Sequence, residues 1–494
     1  MQPVETTRAV SVSTGVLLMV AIRWSDRLIG LLSTLVLARL LLPQDIGIIA
    51  MASMMIGLID SMLDTGVSIA LIQNRGARQD DYDAAWTLRL MQSLLATVLI
   101  YALAGVAAKY FHDARVEPVI EVLALSNLLA AVENIGVVSF QKNMEFGLEF
   151  RFFFIKRCVG FVITMIAAWI LRDYWALVAG NIGGRIFGAV FSYVIHPMRA
   201  RISFTKMGNI LSFASWNLLR SIANYLNTNA HGFLVGHRAS PFVLGEYTYG
   251  SEIAALPSTE LLAPISRVLF PTFVSLKDDP PALKESFLLA LAVQTMIGIP
   301  AGAGMALLAH DMVRVLLGPK WMDTAAFIQI MGAINIIGAI GASGGYVLLA
   351  LGRAKIIAFN SWLQVLVFLA IAVLVLPKGG AMVIAMLRMG IACGGLITFL
   401  CLVMQELPML RAASLLAAVW RPSVASLAMA CALPSVSLPL FVPDVVQLFL
   451  KVVIGAIIFS ASVLLLWRIA GRPAGAETYL GEKFNLYLRG RAVA

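Results

Sequence analysis

Apolar runs of membrane-spanning length succeed one another along almost the whole chain. Read with a window of about 20 residues, they fall near 15–38, 46–71, 85–107, 118–140, 152–171, 174–195, 209–235, 242–266, 285–308, 325–350, 356–376, 380–404, 421–441 and 446–467. The pattern predicts an all-α, polytopic integral membrane protein with about 14 transmembrane helices. The seventh run departs from the apolar rule in an ordered way. Within Ser212–His231, residues Asn217, Arg220, Asn224, Asn227 and His231 follow one another at 3, 4, 3 and 4 positions, so a helix puts them on one face. That stripe is roughly 20 Å long at 1.5 Å per residue, and lipid cannot be its neighbour. It is either a hydrogen-bonded seam between packed helices or the wall of a polar passage.

Composition agrees with the pattern. The chain is 60% hydrophobic and 13% charged with a mean hydropathy of +0.88, where a soluble domain is about 25% charged. Its net charge of +10 is spread over short loops, which excludes a nucleic-acid patch and points to membrane topology. With the N-terminus inside, 22 of the 37 Lys and Arg fall on the cytoplasmic side and nine on the far side. That asymmetry predicts both termini in the cytoplasm and an even number of helices. The first apolar run lacks a small-residue cleavage site and is expected to be retained. The tail after Arg468, with Tyr479, Phe484 and Tyr487 among basic residues, is expected to rest on anionic membrane lipids. No loop approaches the size of a soluble domain, so any chemistry belongs to the helices.

Several classes of chemistry lack their residues. Cys158, Cys393, Cys401 and Cys431 lie in apolar runs without disulfide or metal spacing, and the five histidines show no ligand pattern. No phosphate-binding glycine loop ends in Lys followed by Ser or Thr, so ATP is not the direct energy source. No cofactor, no metal and no catalytic residue is expected.

Ionisable residues inside spans remain, each costing about 2.5–3.5 kcal/mol at mid-helix unless compensated. Arg23, Asp26 and Arg27 share one face of the first helix, Asp60 and Asp64 form an i,i+4 pair on the second, Arg220 is on the seventh and Glu252 on the eighth. The carboxylates either fasten helices as salt bridges or couple transport to an ion. Arg23, Arg27 and Arg220 suit bidentate binding of phosphate, with Asn217, Asn224, Asn227, His231 and Tyr247 as polar lining. Tyr247, Tyr249 and Trp216 either stack on sugar rings or sit as interfacial belt residues. Pro43-x-x-x-Gly47 and Pro241-x-x-x-Gly245 lie 198 positions apart, as a six-helix unit used twice would place them.

The run ARLLLPQDIGIIAMA at 38–52, then Asp64-Thr-Gly66 and Ala70-Leu-Ile-Gln73, LGEYTYGSEIAALPS at 244–258, ISRVLFPTF at 265–273 and GPKWMDTAA at 318–326 together resemble the polysaccharide transporter family. Those are the Wzx-type exporters of the multidrug/oligosaccharidyl-lipid/polysaccharide superfamily, with colanic-acid-type exporters similar in style. The resemblance extends to about residue 405. It implies a flippase for undecaprenyl-pyrophosphate-linked oligosaccharide, with two six-helix lobes around a central cavity lined by helices 1, 2, 7 and 8. On this chain the lobes are expected at 1–207 and 208–410, with two further helices and a basic tail at 411–494. Glu252 departs from the family, whose members commonly carry a basic residue after the Tyr-rich start of helix 8. The expected partners are the lipid-linked oligosaccharide, membrane lipids and a polysaccharide polymerase. Two other readings stay open: a drug/cation antiporter of the same superfamily, and a polytopic glycosyltransferase, which would need catalytic carboxylates on a sizeable external loop.

Overall fold

The computed structural model describes residues 4–64, 66–67, 71–72, 76–205, 207–375, 377–436, 442–473 and 475–479, with the backbone alone at 4–20, 207–220, 263 and 267. The basic tail beyond Tyr479 lies outside the described residues. Every described element is a helix, and the chain divides into two compact units, Met1–Gly245 and Glu246–Ala494.

The first unit holds α1 (Val4–Leu40), α2 (Pro43–Leu63), α3 (Gln79–Phe111), α4 (Val116–Val132), the short α5 (Val138–Lys142), α6 (Phe146–Leu171), α7 (Trp175–Ile195), α8 (Met207–Arg238) and the start of α9 (Pro241–Ala254). The second continues through α10 (Ala263–Ser275), α11 (Pro280–Leu307), α12 (Ala309–Leu316), α13 (Thr324–Ala350), α14 (Ala354–Ala370), α15 (Ala381–Glu406), α16 (Ala412–Ala432) and α17 (Asp444–Ile469). Among the described residues, 10 helices are long and apolar enough to cross a membrane, or 12 if two bent pairs each count as one span. The 37-residue α1 and the 32-residue α8 fall outside that count; α1 carries Arg23, Asp26 and Arg27, and α8 carries the amide stripe. The expected count of fourteen is not reached among the described residues.

Within the second unit, α11 and α13 approach closely because Gly302 faces Gly332 and Gly298 faces Ala339, as small residues allow in lipid, where packing drives association. Phe273, Phe287, Val347 and Phe399 fill its core. Two ion pairs fasten its last helices. Lys451 of α17 bonds Asp311 of α12 at 2.5 Å, and buried Arg421 of α16 pairs with Glu477 at 2.9 Å.

In the first unit the starts of α2 and α9 are held by local chemistry. Pro43 and Pro241 occupy first-turn positions where a missing N–H costs nothing, and Leu42 N–H donates to Asp45 Oδ2 at 2.8 Å. The two Pro-x-x-x-Gly copies then meet each other. A Cβ at Gly47 would fall inside the van der Waals shell of the Pro241 carbonyl, and a Cβ at Gly245 inside that of the Pro43 carbonyl. The contact is reciprocal, as an internal two-fold repeat produces. Deeper along the pair, Tyr225 of α8 donates to the Met54 carbonyl of α2 at 2.6 Å, opposite Gly57.

Residues 196–205 leave α7 without regular structure and are strapped to neighbouring helices. Asp83 Oδ1 accepts from Arg201 N–H at 3.0 Å and Thr87 Oγ from Ser203 N–H at 2.9 Å. Asn134 Nδ2 donates to the carbonyls of His196 and Met198 at 3.0 and 2.8 Å. His196 Nδ1 accepts from Met198 N–H at 3.1 Å, so the neutral ring carries its proton on Nε2, facing Ser139 Oγ at 3.1 Å. Burial holds this imidazole below its ordinary pKa of 6.5.

Two outcomes follow from this packing. Gly47→Ala or Gly245→Ala should each lower stability by about 1–3 kcal/mol through overpacking, read as a lower thermal midpoint in detergent. The pair should cost less than the sum, because the first methyl already parts the helices; full additivity would place the two glycines in separate contacts. At His196 the unfolded chain takes up a proton near pH 6.5 where the folded chain does not, so its contribution is lost as pH falls below that value. The thermal midpoint should drop between about pH 7.5 and 5.5, and less steeply in His196→Gln. Equal slopes in the two proteins would show that His196 takes up its proton alike in the folded and unfolded chain.

Candidate functional site

The first unit contains a groove of about 770 Å³, within the ~300–1,000 Å³ range of small-molecule sites. α6 is its floor, since it packs against both α1 and α7. Glu149, Phe153, Lys156, Gly160 and Thr164 of α6 face it at helical spacing, with Arg157 beside them. From α7 come Gly180, Asn181, Gly184 and Arg185, and from α1 come Arg23, Asp26, Ile29 and Ser33. Glycine shapes the floor: a Cβ at Gly184 would lie 3.3 Å from Gly160 Cα, and Gly180 leaves no room for one beside Thr164. With the two backbones this close, the long side chains around them bound a recess rather than filling it.

Four cations and two carboxylates line the groove, and they differ in how they are compensated. Lys156 Nζ bonds Glu133 at the C-terminal end of α4, both largely shielded. Arg157 Nε pairs with Asp26 Oδ1 at 3.0 Å, but both side chains are at least half exposed, so that pair is worth at most about 1 kcal/mol and is free to exchange. Arg185 makes no hydrogen bond or ion pair among the described residues. It lies within electrostatic reach of Asp60, which accepts from Asn127 Nδ2 at 2.8 Å, and of Arg89 and Lys156. Its place near the middle of α7 is roughly 15 Å from either end, where an uncompensated guanidinium costs about 2.5–3.5 kcal/mol. Glu149 Oε2 is buried and likewise has no hydrogen-bond partner. The arrangement suits an anion with donors of its own attached.

The expected site residues distribute unevenly around this groove. Arg23 lines it, whereas Arg27, one position past Asp26, is partly buried and does not. On α8, Asn224 and Asn227 are exposed and His231 is 9% exposed, and none of them lines the groove. The side chains of Trp216, Asn217 and Arg220 lie outside the described residues. Asp60 is exposed near the end of α2, and Asp64 caps that helix by accepting from Gly66 N–H at 3.0 Å. In the second unit Glu252 is exposed, while Tyr247 is 2% exposed and packs edge-on against Phe327 at 5.3 Å. Tyr247 is therefore core and not lining, because Gly250 lets α9 press onto Phe327 and Thr324 of α13. Tyr249 stacks on Trp321 at 4.7 Å, so it is no belt residue either. Among the described residues no three His, Cys, Asp or Glu side chains gather to hold a metal.

Sequence reasoning missed Glu149, Lys156, Arg157 and Arg185. Lys156 and Arg157 fall inside the apolar run 152–171 but count among the basic residues of the cytoplasmic side; α6 begins at Phe146 and carries them about three turns inside. A usable signal existed in α7. Asn181 and Arg185 sit four apart beside Gly180, Gly184 and Gly188, polar residues next to a small-residue packing face.

Comparison with known proteins settles the family. A family model described as polysaccharide biosynthesis protein matches residues 36–326, more than half of the chain. The chain belongs to that family. It is 24% identical over 336 residues to the lipopolysaccharide biosynthesis protein WzxC of Escherichia coli (strain K12), covering 66% of this chain and 68% of that one. The teichuronic acid biosynthesis protein TuaB of Bacillus subtilis (strain 168) is 23% identical over 300 residues, 60% of this chain and 62% of that one. Among solved structures, the lipid II flippase MurJ in an inward closed conformation superposes with a TM-score of 0.74 at 12% identity, over 92% of this chain and 100% of that one. An inward-facing MATE family transporter of the MOP superfamily gives 0.61 at 15% identity, over 78% of this chain and 96% of that one. The fold of this chain is thus the multi-pass helical fold that those two solved structures share.

Lys156 tests the electrostatics of the groove wall. Lys156→Met removes the cation bonded to Glu133, with Arg89 still within electrostatic reach, and should cost up to about 3–5 kcal/mol, most of it recovered by adding Glu133→Gln. Thermal unfolding of the single and double variants measures this; an equal loss in both would mean that packing of the lysine stem, and not charge, matters there.

Proposed function

We propose that this protein is a flippase that carries undecaprenyl-pyrophosphate-linked oligosaccharide from the cytoplasmic to the periplasmic leaflet, for exopolysaccharide, O-antigen or capsule synthesis. The observation that carries this reading is Arg185, a mid-membrane guanidinium without an ion partner among the described residues, in a groove shared with Arg23, Lys156 and Arg157. A diphosphate is the complementary guest, since its oxygens accept from planar guanidinium forks. The names of the relatives support a polysaccharide cargo: WzxC, TuaB and the succinoglycan biosynthesis transport protein ExoT of Rhizobium meliloti (strain 1021), which is 21% identical over 288 residues, 58% of each chain.

In this reading the protein transports and does not catalyse. It lies in the bacterial inner membrane with both termini cytoplasmic and works by alternating access of the lobes 1–207 and 208–410. Residues 411–494 add two helices and a basic tail, and a polymerase receives the cargo. Four basic against two acidic residues in the groove disfavour the cation antiporter. Arg23, Arg185 and, from the amide stripe, Arg220 hold the diphosphate. Arg27 lies one turn beyond Arg23 on α1, and Asp60, Asp64 and Glu252 are the candidates for ion coupling.

The test is export in a deletion strain complemented with variants present at normal level in the membrane. Arg185→Ala and Arg220→Ala should each reduce export at least about tenfold and accumulate lipid-linked oligosaccharide, since losing one partner of a desolvated charge-assisted contact costs about 2–5 kcal/mol. The Lys variants should be partial, keeping charge without the fork. Wild-type export by both Ala variants rules out this placement of the headgroup. The same assay under an imposed proton gradient, with amide variants of Asp60, Asp64 and Glu252, shows which carboxylates are merely structural: those whose variants keep full gradient dependence.

A further inference from the structure

We infer that Glu149 reads the sugar joined to the diphosphate, which makes it a specificity residue of the groove. The inference rests on the reading of the cargo as a sugar diphosphate lipid.

The argument starts from what Glu149 lacks. Its neighbours among the charged groups are provided for: Asp26 has Arg157, Glu133 has Lys156, and Asp60 has the Asn127 amide. Glu149 Oε2 is shielded from solvent and accepts nothing, although the residue lines the same recess as Arg23, Lys156, Arg157 and Arg185. A buried carboxylate oxygen left unpaired is costly. In the wall of an anion site it would also repel a bare diphosphate. The loaded state must therefore bring it a donor.

Diphosphate oxygens are acceptors and cannot serve. The hydroxyl or amide N–H groups of a sugar one bond away can, and each would form a charge-assisted hydrogen bond with the carboxylate. Spacing along α6 agrees. Glu149 stands seven residues before Lys156 and eight before Arg157 on the floor helix, or about 10–12 Å along the axis, so cations and carboxylate can address successive parts of one extended ligand. Phe153 and Phe154 line the groove one turn from Glu149, and both side chains are exposed. Aromatic faces beside a hydrogen-bonding carboxylate suit a sugar ring, which is apolar on its C–H face and polar at its edge. A site for diphosphate alone would need neither.

The experiment uses the full-length protein in nanodiscs and two probes: undecaprenyl pyrophosphate, and the same lipid carrying a single glucose. Wild-type protein should bind the glycosylated lipid about tenfold more tightly or better, the worth of one hydrogen bond to a charged group. Glu149→Ala should lose that preference while binding the sugar-free lipid at least as well as wild type, because a repelling charge is gone. Glu149→Gln, which keeps an acceptor oxygen, should retain part of the preference and guards against misfolding of the Ala variant. Equal affinity of wild type for the two lipids overturns the inference, as does equal weakening of both lipids by Glu149→Ala. So does a preference unchanged in Glu149→Ala with pH dependence of binding lost in both variants, which assigns the carboxylate to a proton. Failure of the underlying reading looks different: Arg185→Ala then binds both lipids as wild type does, whatever Glu149 does.

Discussion

A guanidinium halfway along a membrane-length helix needs water or an anion, and that constraint organises the first unit. Arg185 sits near the middle of α7, and the groups around it take positions that limit its cost without neutralising it. Asp60 lies within reach but is engaged by Asn127. Glu133 is within reach of the neighbouring cations but is taken by Lys156. The remaining route to compensation is the recess itself, which is large enough to hold water or an anion beside it. A pair such as Arg157 with Asp26, half exposed on both sides, adds a reserve cation that can change partner at little cost.

The recess exists because of glycine. In lipid, helices associate through packing and not through a hydrophobic driving force, so Gly160 against Gly184 and Gly180 against Thr164 bring α6 and α7 close. Longer side chains at the edges, Arg23 and Phe153 among them, cannot follow the backbones inward. Glycine has a second use at the start of α2 and α9, where Gly47 and Gly245 each accept the other's proline carbonyl at a distance no side chain permits. In both places glycine sets helix separation, and helix separation decides where polar groups can stand away from lipid.

That division explains what could be read from the sequence and what could not. Spans, the amide stripe of α8 and the paired Pro-x-x-x-Gly signals were legible, because each is a period or a spacing within one chain segment. The groove was not, because it is a property of three helices in register. Lys156 and Arg157 stand in the first turns of the run that starts at Phe152 and so pass for flanking charges at its cytoplasmic end; α6 starts six residues earlier, at Phe146, adds the turn that carries Glu149 and places both well inside the helix. Tyr247 and Tyr249 misled in the opposite direction. An amphipathic ring in a membrane segment can serve as belt, lining or core, and only the approach of Gly250 to Phe327 decides for core.

The groove and the stripe of α8 divide the polar surface of the first unit between two kinds of wall. One is basic, recessed and floored by glycine. The other, where described, is neutral and shows the exposed amides of Asn224 and Asn227 before it ends in the buried ring of His231. Amides donate and accept without net charge, so they hold sugar hydroxyls with little regard to order. Cations select an anion and release it only when something else compensates them. A carrier of a long, variable glycan on a constant diphosphate needs both properties, in separate places. Tight, charge-specific contact belongs at the part of the cargo that never changes, and permissive contact along the part that does.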